Sequence, residues 1–381
     1  MNIHFAIDVV FINKAVELFE KYDPGNNVFY IISKRPGKKK FIHVSPAENI
    51  FHLDMLKRRV FRKIRTSIQD GDKIFVHYLN QLTAAAVLKS IHGKDVKTHW
   101  IFFGSDLYEM LENRGVYDLY DPGNDFSKKG KRFFRLVKNT LLSIQTKMTM
   151  DRVRERFINR LDYFCFWNPH DYQLLIKHFE TRARFRNFRY FITKPPEVTD
   201  NLFRKKAGFI VINHSASRHG NHLSLIARIA ELDEAQSLEK VIVPLSYGPE
   251  KVIRQVKAMG TKLLPYCFTP LTTFLPSDQY FALLNNASAA VFGHRRQEGS
   301  GNIFQFLAAG TKVFLREENN MLLYLREKGY HVFSYEKELL ALSDLEPLEK
   351  EKQVRNRTLL LEELSTEKQE KVFKDILHAA N

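Results

Sequence analysis

Between residues 206 and 335 the apolar positions alternate between two patterns. Short continuous runs, GFIVINHS at 208–215, KVIVPLS at 240–246, AAVFGH at 289–294, KVFL at 312–315 and HVFSY at 331–335, predict strands buried on both faces. Stretches with a helical period separate them: HLSLIARIAEL at 222–232, PEKVIRQVKAMG at 249–260, PSDQYFALLNNA at 276–287, NIFQFLAAG at 302–310 and NNMLLYLREKG at 319–329. Gly260 is expected to close its helix, with TKLLPY at 261–266 as a further strand. Strands alternating with helices of about ten residues imply right-handed crossovers and a parallel, doubly wound sheet, whose ligands sit outside the carboxyl ends of its strands.

The N-terminal half carries the same elements less regularly. NIHFAID, NNVFYIIS, KIFVHYL and KTHWIFFG are expected strands, with helices such as NQLTAAAVLKSIHG between them. This predicts a second α/β domain over 1–195, a C-terminal one over 196–345 and a helical tail over 346–381. The linker falls at Lys194-Pro195-Pro196-Glu197, because proline continues neither a helix nor a central strand.

With 44% hydrophobic residues in 381, the chain has material for two cores and is not a disordered polymer. Its two cysteines, Cys165 and Cys267, lie in apolar segments without zinc or disulfide spacing, which suggests a reducing compartment. Asp8 and Lys14 interrupt the N-terminal apolar stretch, and no apolar run approaches eighteen residues, so the chain is expected to be neither secreted nor membrane-spanning. The net charge of +16 is unevenly placed: residues 1–195 hold 35 Lys and Arg against 20 Asp and Glu, residues 196–381 hold 24 against 23. Such a field implies an anionic surface or polymer facing the N-terminal half.

Candidate chemistry starts with Arg295-Arg296-Gln297-Glu298-Gly299-Ser300-Gly301-Asn302, directly ahead of an apolar helix. Glycines allow close backbone approach and a helix N-terminus offers unpaired N–H groups, so a pyrophosphate cradle is one reading, with Arg296 as charge clamp and Asn302 at the N-cap. An ordinary capped turn is the other. The polar loop Asn213 to His222, after the first strand of the same sheet, favours the cradle, since both loops would face one crevice. Pro244 to Gly248 is a third such loop. The glycine spacing is neither a dinucleotide fingerprint nor a Walker loop. Asp70-Gly71-Asp72 precedes a strand, as a turn would, and no metal is predicted. In the N-terminal half Asp106 lies at the end of a strand, suited to deprotonate a hydroxyl or to cap a helix, and His77 is the second candidate base. Asp8 closes the first strand, where capping the loop is the default reading.

Cations and apolar residues interleave in KRRVFRKIR at 57–65 and throughout 128–160, where Phe134, Val137, Leu141, Ile144 and Met148 share one helical face. This is the pattern of a helix lying on a membrane surface, or of one packed on its own domain with solvated cations. No RNA-binding or recognition-helix signature accompanies it, so no nucleic acid is expected.

These residues resemble the bacterial TDP-N-acetylfucosamine:lipid II N-acetylfucosaminyltransferases, the 4-alpha-L-fucosyltransferases of enterobacterial common antigen synthesis. The resemblance lies in Asn213-x-Ser215, Asn221-His222, Pro244-x-x-Tyr247, Val252-Ile253-x-x-Val256, Gly260, Tyr280, Leu283-Leu284 and Arg296-Gln297-x-Gly299-x-Gly301. In the N-terminal half it lies in Phe75-x-His77 and Gly104-x-Asp106-Leu107-Tyr108-Glu109. The chain departs from the family at Ile212, Glu298 and Phe103, where the family has Gly, Gln and Trp.

The resemblance implies a GT-B fold, two Rossmann-like domains facing across a cleft, with a terminal helix that crosses back. It also implies a metal-independent transferase of a 4-acetamido-4,6-dideoxyhexose from a dTDP-sugar, its donor substrate, to a polyprenyl-diphosphate-linked oligosaccharide, with no cofactor. The enzyme would be peripheral on the cytoplasmic face of an anionic membrane. Asn213, Ser215, Asn221, His222, Tyr247, Arg296, Gln297, Gly299, Gly301 and Asn302 would hold the donor, and Asp106 or His77 would be the base. Two other readings are a UDP-sugar transferase and a non-catalytic basic protein that binds RNA or lipid.

Overall fold

The computed structural model describes residues 1–33, 49–54, 58–124, 150–190, 203 and 205–378. These form two units, each built on its own parallel sheet. The first sheet contains β1 (Asn2–Ala6), β2 (Asn27–Ser33), β3 (Ile50–Asp54), β4 (Lys73–His77), β5 (Lys97–Ile101), β6 (Tyr163–Cys165) and β7 (Arg184–Arg186), in the order β3-β2-β1-β4-β5-β6-β7. The second contains β8 (Lys206–Ile212), β9 (Lys240–Pro244), β10 (Phe268–Leu271), β11 (Ala287–Val291), β12 (Lys312–Leu315) and β13 (Val332–Ser334), in the order β10-β9-β8-β11-β12-β13. Each is doubly wound, and the strand order reverses between β1 and β4 and between β8 and β11. A crevice opens beyond the carboxyl ends of the strands at such a reversal.

The core of the first unit contains a row of stacked rings running across the sheet. His4 lies 4.1 Å from Phe29 and 5.0 Å from Phe75, while His99 lies 4.6 Å from Phe75 and 4.8 Å from Tyr163. The register makes these residues direct cross-strand neighbours, with Phe29 opposite His4, His4 opposite Phe75, Phe75 opposite His99 and His99 opposite Tyr163. Burial, the dominant cause, holds the His77 and His99 imidazoles down at about 3, so they are neutral. In the second unit Ile210, Ile212, Val241, Val243, Ala289 and Val291 meet Leu225, Ile226, Ile229, Val252 and Val256 of the covering helices.

The division of the chain differs from a simple N-terminal and C-terminal split in two places. Unit one comprises Met1–Arg114, Lys129–Ile192 and Thr366–Asn381; unit two comprises Gly115–Lys128 and Thr193–Ser365. The helical tail expected as one piece is thus divided. Helix Lys350–Glu363 stays with the second unit, where the Arg357 guanidinium donates to the Ala308 carbonyl at 2.9 Å. Helix Thr366–His378 returns to the first, where Phe373, Ile376 and Leu377 join Ile12, Val16 and Phe19 in the core.

A second difference concerns Gly260. The helix runs from Glu250 to Leu263, straight through this glycine, and the strand begins at Phe268 and not at Thr261. A Cβ on Gly260 would lie 2.2 Å from the Phe268 ring, so the glycine lets an aromatic side chain pack against the helix backbone and does not end the helix. The expected linker at 194–197 and residues 128–149 of the basic amphipathic segment lie outside the described residues. The remaining basic segments are described. Helices Arg58–Ser67, Gln81–Ser90 and Met150–Ile158 pack side by side and expose Arg62, Arg65, Lys89, Arg152 and Arg156.

Candidate functional site

The loops that follow β8 and β11 flank the reversal in the second sheet, and Asn213 locks them together. It takes a left-handed conformation, with φ of 57°, one residue beyond β8. Its Oδ1 accepts from the Gly293 N–H at 3.0 Å and its Nδ2 donates to the Gly220 carbonyl at 2.8 Å. Asn221, also left-handed and fully buried, donates to the Gly293 carbonyl at 2.9 Å. Both asparagines therefore hold the loops together with their amides, a framework role. His222 is fully buried beneath them, and burial keeps it neutral at about 3.

The second loop presents a charged cluster. Arg296 donates through Nη1 to the Gln297 carbonyl at 3.0 Å and pairs through Nη2 with the Glu298 carboxylate. His294 Nε2 and His219 Nδ1 stand 3.6 and 3.8 Å from the same carboxylate. Burial alone would raise Glu298, but Arg296 and His294 outweigh it and hold the carboxyl well below its usual range. Around this carboxylate lie buried polar atoms without a hydrogen bond: His214 Nδ1, both ring nitrogens of His294 and Nε of Arg296. Buried polar atoms are nearly always paired, so this concentration makes the loop a candidate ligand site.

Glu298 leads directly into helix Ser300–Ala308. The N-cap is Gly299, not Asn302 as the sequence suggested. Gly299 has φ of +72°, and a Cβ there would lie 2.6 Å from His214 Nδ1, so glycine alone makes this turn against the imidazole. The helical ladder begins with the Ile303 N–H bonding to the Gly299 carbonyl at 3.0 Å, and no side chain caps the helix. The N–H groups of Ser300, Gly301 and Asn302 precede that ladder and point out of the helix end. Helix His222–Ala230 differs, because Asn124 Oδ1 accepts from the Leu223 N–H at 3.0 Å.

Asn124 belongs to a segment that the sequence reading assigned to the other domain. Its anchor is Asp121, which accepts from Arg295 at 2.8 Å and Arg316 at 2.6 Å, while its N–H donates to Asn221 Oδ1 at 3.0 Å. Burial would raise the Asp121 carboxyl, but Arg316, Ser224 and Arg295 outweigh it and the net shift is downward. Arg295 is thus committed to Asp121, which leaves Arg296 as the cation at the helix mouth. The sequence offered no signal for Asp121 or Asn124, which lie between 99 and 195 residues before their partners.

The other expected donor residues divide. Ser215 is buried in the first loop, Gln297 is buried beside Arg296, Gly301 and Asn302 are half-buried in the first helical turn, and Tyr247 is exposed beyond β9.

Neither candidate base is open to a substrate in this conformation. Asp106 is fully buried, with Oδ2 accepting from the Leu79 N–H at 3.0 Å and Trp100 Nε1 at 2.7 Å, and Oδ1 from the Phe103 N–H at 3.3 Å. Burial raises its carboxyl to about 6 against the pull of the Leu79 and Trp100 donors. His77 is equally buried, its Nε2 2.9 Å from His4 Nδ1 and its Nδ1 against the Tyr190 hydroxyl. Asp106 braces the loop after β4 against the loop after β5. Asp70 and Asp72 are also bonded within the first unit: Asp70 accepts from the Asp95 N–H at 2.8 Å, and Asp72 meets the N-terminal ammonium at 2.8 Å.

Two parallel doubly wound sheets, with an anion-suited helix end at the reversal of the second, are the architecture of one broad class. Residues 171–354 match the family model 4-alpha-L-fucosyltransferase, glycosyl transferase group 56. This is the family whose motifs the sequence resembles. No curated protein sequence matches the chain. Solved structures share its fold. A sucrose-phosphate synthase from Thermosynechococcus elongatus superposes with a TM-score of 0.59 at 10% identity, covering 100% of both chains. An alpha,alpha-trehalose-phosphate synthase (UDP-forming) from Burkholderia vietnamiensis gives 0.61 at 9%, covering 100% of this chain and 99% of its own. The apo form of the lipopolysaccharide outer core galactosyltransferase WaaB gives 0.61 at 9%, with the same coverage. The fold is GT-B. Family match and fold together support a glycosyltransferase.

Proposed function

We propose that this glycosyltransferase moves a 4-acetamido-4,6-dideoxyhexose from a dTDP-sugar to a polyprenyl-diphosphate-linked oligosaccharide. The observation that carries the donor half is the uncapped N-terminus of helix Ser300–Ala308, with Arg296 and the orphaned His214 and His294 nitrogens beside it. A diphosphate there would accept from the Ser300, Gly301 and Asn302 N–H groups and take the Arg296 guanidinium from Glu298. As the glycosidic bond to the donor breaks, charge builds on that diphosphate, and the fixed N–H dipoles and Arg296 would stabilise it without reorganising. The family match supports the sugar class.

The acceptor would approach the first unit. Arg62, Arg65, Arg152 and Arg156, exposed on neighbouring helices, suit anionic headgroups, which favours a peripheral enzyme at the inner face of the membrane. Among the described residues no helix is long and apolar enough to cross a bilayer. A UDP-sugar donor is the second reading, prompted by the fold shared with a UDP-forming synthase.

Thermal-shift titration with dTDP, UDP and ADP, on wild type and Arg296→Ala, tests the proposal. A shift with dTDP, larger than with UDP and lost in the variant, supports it. A larger shift with UDP selects the second reading. No shift with any diphosphate, or one that survives Arg296→Ala, refutes the donor site.

A further inference from the structure

The reversal in the first sheet, between β1 and β4, has its own surface. One residue beyond β4, Tyr78 has φ of +68°. An aromatic residue in the left-handed region is strained and persists only where its surroundings hold it. Here they do so at four points. The Tyr78 N–H donates to the Ile101 carbonyl at 3.3 Å, its carbonyl accepts from the Thr83 hydroxyl at 3.0 Å, and its phenol accepts from the Ser105 hydroxyl at 3.4 Å. The next N–H in the chain, that of Leu79, is held by Asp106.

This turn places the Tyr78 ring 6.3 Å from Phe103, which lies 5.6 Å from Phe11. Phe11 is 47% exposed, and Tyr78 and Phe103 are half-buried. They follow β4, β5 and β1, three adjacent strands that meet at the reversal. Asp8, also half-buried, lies two residues beyond β1. Unlike Asp106 and His77, it is partly open to solvent.

We infer that Phe11, Tyr78 and Phe103 form a platform for one pyranose ring of the acceptor, with the Asp8 carboxylate receiving its hydroxyls and Asp106 as the positioning residue that holds the Tyr78 turn. A sugar ring presents an apolar C–H face and a polar rim, so it needs aromatic faces beside a carboxylate. Identifying the pyranose as the acceptor rests on the glycosyl transfer proposed above; the sugar site itself does not.

Saturation-transfer difference NMR tests this on the full chain, with the methyl pyranosides of glucose, galactose, mannose and N-acetylglucosamine as probes and dTDP binding measured alongside by calorimetry. Wild type should transfer saturation to ring C–H protons of at least one probe. Tyr78→Gly removes the ring and the strain together, so the signal should fall at least fivefold while the melting temperature holds or rises. Phe11→Ala, at the surface, should lose signal without a change in melting temperature. Asp106→Ala should lose it, and Asp106→Asn, which keeps an acceptor oxygen for Leu79 and Trp100, should restore most of it. No transfer in wild type, or full transfer in Tyr78→Gly or Phe11→Ala, overturns the platform, and full transfer in Asp106→Ala overturns the positioning role. Pyranoside binding without dTDP binding would leave the platform standing and refute the donor site instead.

Discussion

Lowering the pH from 7.5 to 5.5 should destabilise the first unit by at least about 2 kcal/mol, through groups that its fold holds neutral or protonated. His77 and His99 have folded values of about 3, and burial lowers His4 in the same direction. A buried neutral histidine contributes its full stability above the unfolded value of about 6.5 and loses it as the pH falls toward the folded value, because only the unfolded chain takes up the proton. At pH 5.5 each such histidine therefore costs about 1.4 kcal/mol, a figure set by the unfolded value and insensitive to how far below it the folded one lies. His77 and His99 together amount to about 3 kcal/mol, and His4 adds to the loss in the same direction. Asp106 opposes them: raised to about 6, it binds its proton in the folded state first and returns about 1 kcal/mol over the same interval. The net loss is a large share of the 5–15 kcal/mol typical of a domain. Urea unfolding followed by tryptophan fluorescence reads this unit selectively, since the chain has two tryptophans, Trp100 and Trp167, and both lie in it. His99→Phe keeps the stacking between Phe75 and Tyr163 but removes one titrating group, so its pH-dependent loss should be smaller by about 1.4 kcal/mol. An unfolding free energy that does not change with pH, or a His99→Phe difference equal to wild type, would refute the reasoning.

Three further outcomes follow from the second unit. Glu298→Gln removes the carboxylate that Arg296 must release, and should tighten dTDP binding by about 1–2 kcal/mol, roughly 5- to 30-fold by calorimetry. Equal or weaker binding would show that Glu298 orients the guanidinium and does not compete for it. Asp121→Ala strands Arg295 and Arg316 and frees the segment that caps helix His222–Ala230; it should cost about 3–5 kcal/mol by differential scanning calorimetry and open residues 115–124 to protease. Gly260→Ala drives a methyl group into the Phe268 ring and should cost about 1–3 kcal/mol in denaturant titrations, part of it recovered in the double variant with Phe268→Ala.

The sequence by itself determined five of the six strands of the second sheet and the polar loops after β8 and β11. Those features are local: a strand buried on both faces must be a continuous apolar run, its crossover helix must show a helical period, and a loop that opens a helix needs glycine and polar residues. Tertiary structure decided whatever depends on a partner distant in the chain. Gly260 carries the sequence mark of a helix end, yet the Phe268 ring packed against it makes it an interior position. Asp106 and His77 occupy the strand-end positions of a catalytic base, but both are fully buried and hydrogen-bonded by residues distant in the chain. Asp121 looks like a surface residue of the first domain until Arg295 and Arg316 close on it, and the terminal helix shows its destination only through Phe373 and its neighbours in the first core. Spacing along a chain fixes which residue types recur, whereas burial and charge pairing are properties of three-dimensional neighbours. The role of a polar residue, ligand, base or brace, is set by those neighbours.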